Sequence, residues 1–223
     1  MTDPQAPESA PGWQALDQRL VRCYPGQMPH QFTSRNPYEP DSPSPLPAVS
    51  GFAVPHPPGW HLITYGLSEL FDKSSPNPTI SGFGFEVTMV VPREDGAERP
   101  PAWVVRFLQA VGRMQLETGG KLDTGHCVDF AGSLEGSIIE GAVCVPDEVL
   151  GKIDTPNGSV LFLRLVGLTR AELEAFRDLD REATVLALAE LLPDATTDLG
   201  RSCLLQDDEK RKVMRRHQLG LRW

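Results

Sequence analysis

The chain has 223 residues, 40% hydrophobic and 23% charged, which suits one generous globular domain that needs no disulfide or metal staple. Residues 208–223 hold six Lys and Arg against Asp208 and Glu209, a net +4, so the rest of the chain carries −13 of the overall −9. A body that acidic repels phosphate backbones and steers cationic partners toward itself, which excludes nucleic acid as a partner.

The opening MTDPQAPESAPG has no basic n-region and no apolar h-region, so it does not read as a secretory signal, and residues 1–11 are expected to form a disordered tail. The folded domain is expected over 12–205. Trp13, Leu16, Leu20 and Cys23 recur at spacings of three and four and predict a short amphipathic helix that Pro25 ends. The proline-rich passage from Pro25 to Pro47 reads as extended loop. Apolar runs at 48–54 and 60–65 predict two strands, with the break from Pro55 to Gly59 as their turn.

Ser81 to Pro92 is the clearest strand. Phe83, Phe85, Val87, Met89 and Val91 share one pleated face, and the other face carries Glu86 beside a notch at Gly82 and Gly84. The notch suits close packing, with Trp103 as the candidate filler. Pro100 and Pro101 open a helix that Gly119 and Gly120 close. Val104, Phe107, Leu108, Val111 and Met114 form its buried stripe, and Arg106, Gln109, Arg113 and Glu117 should face outward. Strands follow at 125–131, 138–145 and 159–166. Thr169 with Glu172 has capping-box spacing, helices are expected at 170–178 and 181–192, and 206–223 reads as a charged, helical tail.

Catalytic constellations are scarce. His30, His56, His61, His126 and His217 show neither HxxxH nor HExxH spacing, and no phosphate loop or GxSxG elbow occurs. The GxG within Ser81–Glu86 lacks the third glycine and following helix of a dinucleotide fingerprint. His126 and Cys127 are adjacent on a strand and point to opposite faces, so they form no nucleophile–base pair. Cys23, Cys127, Cys144 and Cys203 lie far apart and read as small buried side chains in a reduced compartment. With no apolar run near the ~20 residues of a membrane span, the expectation is a cytoplasmic protein with no membrane partner, no metal and no cofactor.

Several landmarks, in order, resemble one family. Gly59-Trp60-His61-Leu62-Ile63-Thr64-Tyr65-Gly66-Leu67-Ser68-Glu69-Leu70-Phe71 is similar to the tryptophan–histidine signature of suppressor-of-fused domains, and Ser81–Thr88 (SGFGFEVT) to their glycine-notched strand. Pro100-Pro101-Ala102-Trp103, Thr155–Val160 and Leu165–Thr169 resemble further segments of the same family. The resemblance spans Gly12 to Leu192 and points to the short stand-alone bacterial type. It implies a single α+β domain, a mixed β-sheet flanked by helices, with no known catalytic activity. Larger animal members sequester zinc-finger transcription factors, clamping a peptide between this domain and a second one. Stand-alone bacterial members sit in genomic company that suggests immunity proteins neutralising polymorphic toxins.

The first expectation is therefore a non-catalytic protein-binding domain, an immunity protein whose acidic body meets a basic toxin. The alternative is a regulator or scaffold that sequesters an endogenous protein. From a different class, a hydrolase would use Glu69, Asp72 or His126. The candidate partner-binding residues are Tyr65, Glu69, Asp72 and Glu86, the polar groups in and next to the two signature segments.

Overall fold

The structure, a computed structural model, describes residues 10–39 and 41–220. Helix α1 (Pro11–Cys23) is followed by strands β1 (His30–Thr33), β2 (Ala48–Pro55), β3 (Pro58–Tyr65) and β4 (Ile80–Pro92). Next come helix α2 (Ala102–Thr118) and strands β5 (Cys127–Asp129), β6 (Ile139–Pro146), β7 (Lys152–Thr155) and β8 (Gly158–Thr169). Helices α3 (Arg170–Arg177), α4 (Arg181–Leu191) and α5 (Asp208–Gln218) complete the described chain.

The strands form one mixed eight-stranded sheet in the order β1-β2-β3-β4-β8-β6-β5, with β7 paired to β8. Among the described residues only the β4–β8 pair is parallel: α2 carries the chain from β4 to the edge strand β5, and β6 and β8 then step back antiparallel until β8 lies beside β4. The fold is α+β, as expected.

Alternation on the strands decides which helix covers which face. Phe85, Val87, Met89 and Val91 of β4 join Leu62 of β3 and Leu163 and Leu165 of β8 under Val104, Leu108 and Val111 of α2. Phe83 is half-buried at the margin of this cluster. On the opposite face lie two further clusters. Leu16 and Leu20 of α1, with Tyr24 just after it, cover Ile63, Tyr65 and Phe162. Leu173 and Phe176 of α3, Leu188 and Leu191 of α4, and Met214 of α5 cover Val143, Val166 and Leu168.

A buried polar stripe lies between those two clusters. Asp147 accepts from Thr88 Oγ1 at 2.6 Å, from Arg164 Nε at 3.1 Å and from the N–H groups of Val149 and Leu150. His61 Nε2 stands 2.9 Å from the same carboxylate, and the His61 Nδ1 side meets the Tyr24 hydroxyl. The neighbouring guanidinium and imidazole overcome the burial that would raise Asp147 and hold its carboxyl far below the usual range.

Several expectations change. Pro11 already belongs to α1, as a proline in the first turn of a helix can, and residues 1–9 lie outside those described. The proline-rich passage contains β1, four residues long, and the segment before β8 contains β7; both are too short to show a sequence period. The strand expected at 125–131 shrinks to 127–129, bounded by left-handed Gly125 and Ala131. Gln109 does not face outward. It is 4% exposed, and its amide spans the N–H and C=O of Leu46 as a strand would. Helix α5 forms as expected but lays Met214, 2% exposed, against α3 and α4, while Arg216 and His217 pair with Glu190. Residues 221–223 lie outside those described.

Candidate functional site

The antiparallel neighbours β3 and β4 are joined by the long segment 66–79, which doubles back over the start of β4. Gly66 leaves β3 with φ of +122°, and Glu86, on β4, captures the turn from below. Its Oε1 accepts from the N–H of Gly66 and the N–H of Ser68, each at 2.9 Å, and from Ser68 Oγ at 2.6 Å. Its Oε2 accepts from Thr64 Oγ1 at 2.7 Å. Glu86 is completely buried, and burial raises its pKa against the opposing donation from Ser68, Thr64 and Gly66.

The glycine notch is filled, but not by Trp103. A Cβ on Gly82 would stand 2.7 Å from Leu67 O and 3.2 Å from Glu69 N, so the notch exists to admit this chain's own doubled-back backbone. The other glycine that the arrangement requires is Gly12 in α1, where a Cβ would collide with Glu69 O. Trp13 N–H donates to Leu70 O at 3.1 Å, so the start of α1 presses on the segment as well.

Glu69 turns back into its own loop. Its carboxylate accepts from Lys73 Nζ at 2.8 Å, the Ser74 N–H at 2.7 Å and the Gly82 N–H at 3.0 Å, and from Ser75. Partial burial pushes the acid up, but Lys73 and the N–H groups of Ser75, Ser74 and Gly82 outweigh it and bring the carboxyl down to about 2. Asn157 Nδ2 donates to Glu69 O at 2.9 Å and to Phe71 O at 2.7 Å. Tyr65 is buried, with its ring against Trp13 and its hydroxyl donating to Asp17 Oδ1 at 2.7 Å.

Of the four expected residues, the structure thus brings Glu69 and Glu86 together as supports of one loop. It places Tyr65 beneath α1 and leaves Asp72 exposed. Phe71, absent from the expected set, is 42% exposed, a large apolar side chain on backbone fixed by Asn157. Phe71 and Asp72 edge an open concavity of about 480 Å³, with Tyr38, Leu67, Phe83 and Lys121 also lining it. The sequence signal for Phe71 was its place in Leu70-Phe71-Asp72, where a core reading was equally natural.

The lining of this concavity mixes aromatic, aliphatic, acidic and basic side chains. Its two glutamate-bearing supports are already saturated with donors from the chain itself, and no histidine or cysteine lines it. His126 lies in a neighbouring groove, its Nδ1 accepting from the Asp123 N–H at 3.1 Å. The carboxylate–imidazole pairs lie elsewhere, at sealed His61–Asp147 and at His217–Glu190 between α4 and α5. Among the described residues, no group of three or more His, Cys, Asp or Glu is placed to hold a metal ion. Burial pushes the Cys144 thiol up to about 12. Among the described residues, no helix is long and apolar enough to cross a membrane.

Fold and site define a mixed-sheet α+β domain with an ordered, aromatic-bearing loop on an open concavity. The family description "Suppressor of fused protein (SUFU)" matches residues 43–202, and the chain belongs to that family. It is 30% identical over 198 residues to the suppressor of fused homolog of Homo sapiens and 29% identical to that of Mus musculus. The match covers 82% of this chain but 41% of each relative, so the chain spans less than half the length of these relatives.

Solved structures agree. Drosophila Suppressor of Fused superposes with a TM-score of 0.86 at 28% identity, covering 99% of this chain and 57% of that one. A chain of the Sufu–Fu complex crystal structure gives 0.82 at 27% identity, covering 96% and 99%. A putative SUFU homolog from Neisseria gonorrhoeae FA 1090 shares the fold, with a TM-score of 0.58 at 16% identity, covering 86% and 96%.

Proposed function

We propose that this chain is a non-catalytic protein-binding domain that presents Phe71 and Asp72, beside the concavity under the 66–79 segment, to a protein partner. The observation that carries the reading is the division of labour in the loop. Glu69 and Glu86 are consumed in holding it, while an aromatic ring and a carboxylate are left outward on fixed backbone. An exposed aromatic with a neighbouring charge is the composition of a contact hot spot. The −13 body supports a cationic partner drawn in by long-range attraction, as a basic toxin neutralised by an immunity protein would be.

A second reading, sequestration of an endogenous regulatory protein, is supported by the Sufu–Fu complex, whose matched chain this domain covers almost end to end. Affinity capture from host lysate, with the captured protein identified, separates the two by what is recovered. The doubly substituted Phe71→Ala, Asp72→Lys chain serves as the control. A partner held by the wild type and lost by the control supports the surface. A partner held equally by both refutes it, and any turnover abolished by Glu69→Gln, Asp72→Asn or His126→Gln would replace binding with hydrolysis.

A further inference from the structure

Antiparallel neighbours such as β3 and β4 can be joined by two to five residues. Here the connection runs through residues 66–79 and is ordered by contacts from four directions. Glu86 reaches up from β4 to the N–H groups of Gly66 and Ser68. Ser81 Oγ accepts from the Glu69 N–H at 2.9 Å. Asn157 holds two carbonyls from the β7–β8 turn, and α1 supplies the Trp13 N–H. The Glu69 carboxylate then closes the loop on itself and on Gly82.

Both oxygens of Glu69 are engaged, Oε1 by Ser74 and Ser75 and Oε2 by Lys73, Ser75 and Gly82, which leaves no lone pair for an incoming cation. Glu86 is out of reach of any partner. A connection that serves topology alone does not need such fixing, and long ordered loops that carry an outward aromatic are where recognition is concentrated.

We propose that Glu69 and Glu86 are positioning residues, two inward carboxylates that lock segment 66–75 into one conformation so that Phe71 and Asp72 are in place before a partner arrives. The proposal rests on the binding reading above and deepens it. Its physical benefit is entropic: a surface already ordered loses less freedom on association, so more of the contact free energy appears as affinity. Each carboxylate suits the task because both of its oxygens accept, so it gathers more donors than an amide, which offers one acceptor oxygen, or a hydroxyl.

The test needs no partner. With 4-fluorophenylalanine at position 71, fluorine NMR of the otherwise wild-type chain should give one narrow resonance. Glu69→Ala should broaden or split it, and Glu69→Gln, which keeps an acceptor oxygen for the Ser74 and Ser75 N–H groups, should recover most of the narrow signal. Hydrogen exchange at Ser74, Ser75 and Gly82 should accelerate on the order of tenfold or more in Glu69→Ala while Val143 and Val166 stay unchanged. Glu86→Ala should do the same at Gly66 and Ser68, and Glu69→Ala carries the test alone if that variant does not fold. A narrow, unmoved fluorine signal in Glu69→Ala would overturn the proposal. So would acceleration at all amides together, which marks a purely global role. If capture of the partner is lost with Phe71→Ala while the loop in Glu69→Ala stays rigid, the positioning role fails and the binding surface stands; the reverse pattern leaves an ordered loop with no partner to serve.

Discussion

Glu86 and Asp147 are both completely buried on the same face of the sheet, yet the regions around them are built on different principles. Asp147 sits at the centre of the molecule with Arg164 and His61 against it, so its charge is compensated and its carboxyl is held far below the usual range. Glu86, on β4 opposite Phe162 of β8, is met by neutral donors alone, so burial wins and its pKa rises. Asp147 ties β3, β4 and β8 together, whereas Glu86 organises a loop. A buried acid that braces the core is paired with charge; one that shapes a surface is solvated by backbone.

The largest expected effect follows from breaking the paired acid. Asp147→Ala leaves Arg164 and His61 without their carboxylate, and urea denaturation should show a loss of about 3–5 kcal/mol. Phe85→Ala, in the apolar cluster under α2, should cost about the same, ~3–5 kcal/mol, through the cavity it leaves. Glu86→Ala strands the Gly66 and Ser68 N–H groups and should cost about 1–3 kcal/mol, concentrated in the loop.

Acid titration sharpens the contrast because the two signs are opposite. The Asp147 contribution is present above the ordinary aspartate value of 3.8 and fades as pH falls below it toward the depressed folded value. Glu86, with its raised folded value, acts the other way: between that value and the ordinary 4.5, the fold gains stability as pH falls. Asp147→Asn should therefore flatten the loss of stability at low pH, whereas Glu86→Gln should remove a slope of the opposite sign at higher pH. Equal behaviour of the two variants in pH-dependent unfolding would contradict the distinction.

Two further changes touch the C-terminal helix and the exposed side of the loop. Removing 208–223 exposes the surface beneath Met214 and should cost roughly 1.5–3 kcal/mol, the value of one buried apolar side chain. The sequence suggests a dispensable tail there, because residues 208–223 are charge-rich and offer little apolar area. Asp72→Lys, at an exposed position, should stay within about 0.5 kcal/mol of wild type and act only on association.

The legible parts of the fold were those with a period or a cap. The alternation from Phe83 to Val91 placed the α2 face of the sheet correctly, and Thr169 with Glu172 forms the expected capping box. Gln109 was illegible because its value lies in matching the backbone of Leu46, far away in sequence. The same holds for Glu86, whose partners are N–H groups of residues 66–68, reached only once β3 and β4 pair. Glu69 reads as an outward candidate because only the turn of the loop brings Lys73, Ser74, Ser75 and Gly82 together on its carboxylate. Residue types drew attention to the signature segments; only the folded register separated the groups that hold the 66–79 segment from those that face outward.

The central claim is that recognition occurs at the 66–79 segment and its concavity. Hydrogen exchange of the chain alone and in complex with its captured partner tests this most directly. Added protection at residues 66–75 and 82–84, with α3, α4 and α5 unchanged, is the expected result. Protection confined to α3–α5, with the loop exchanging as in the free chain, would contradict it.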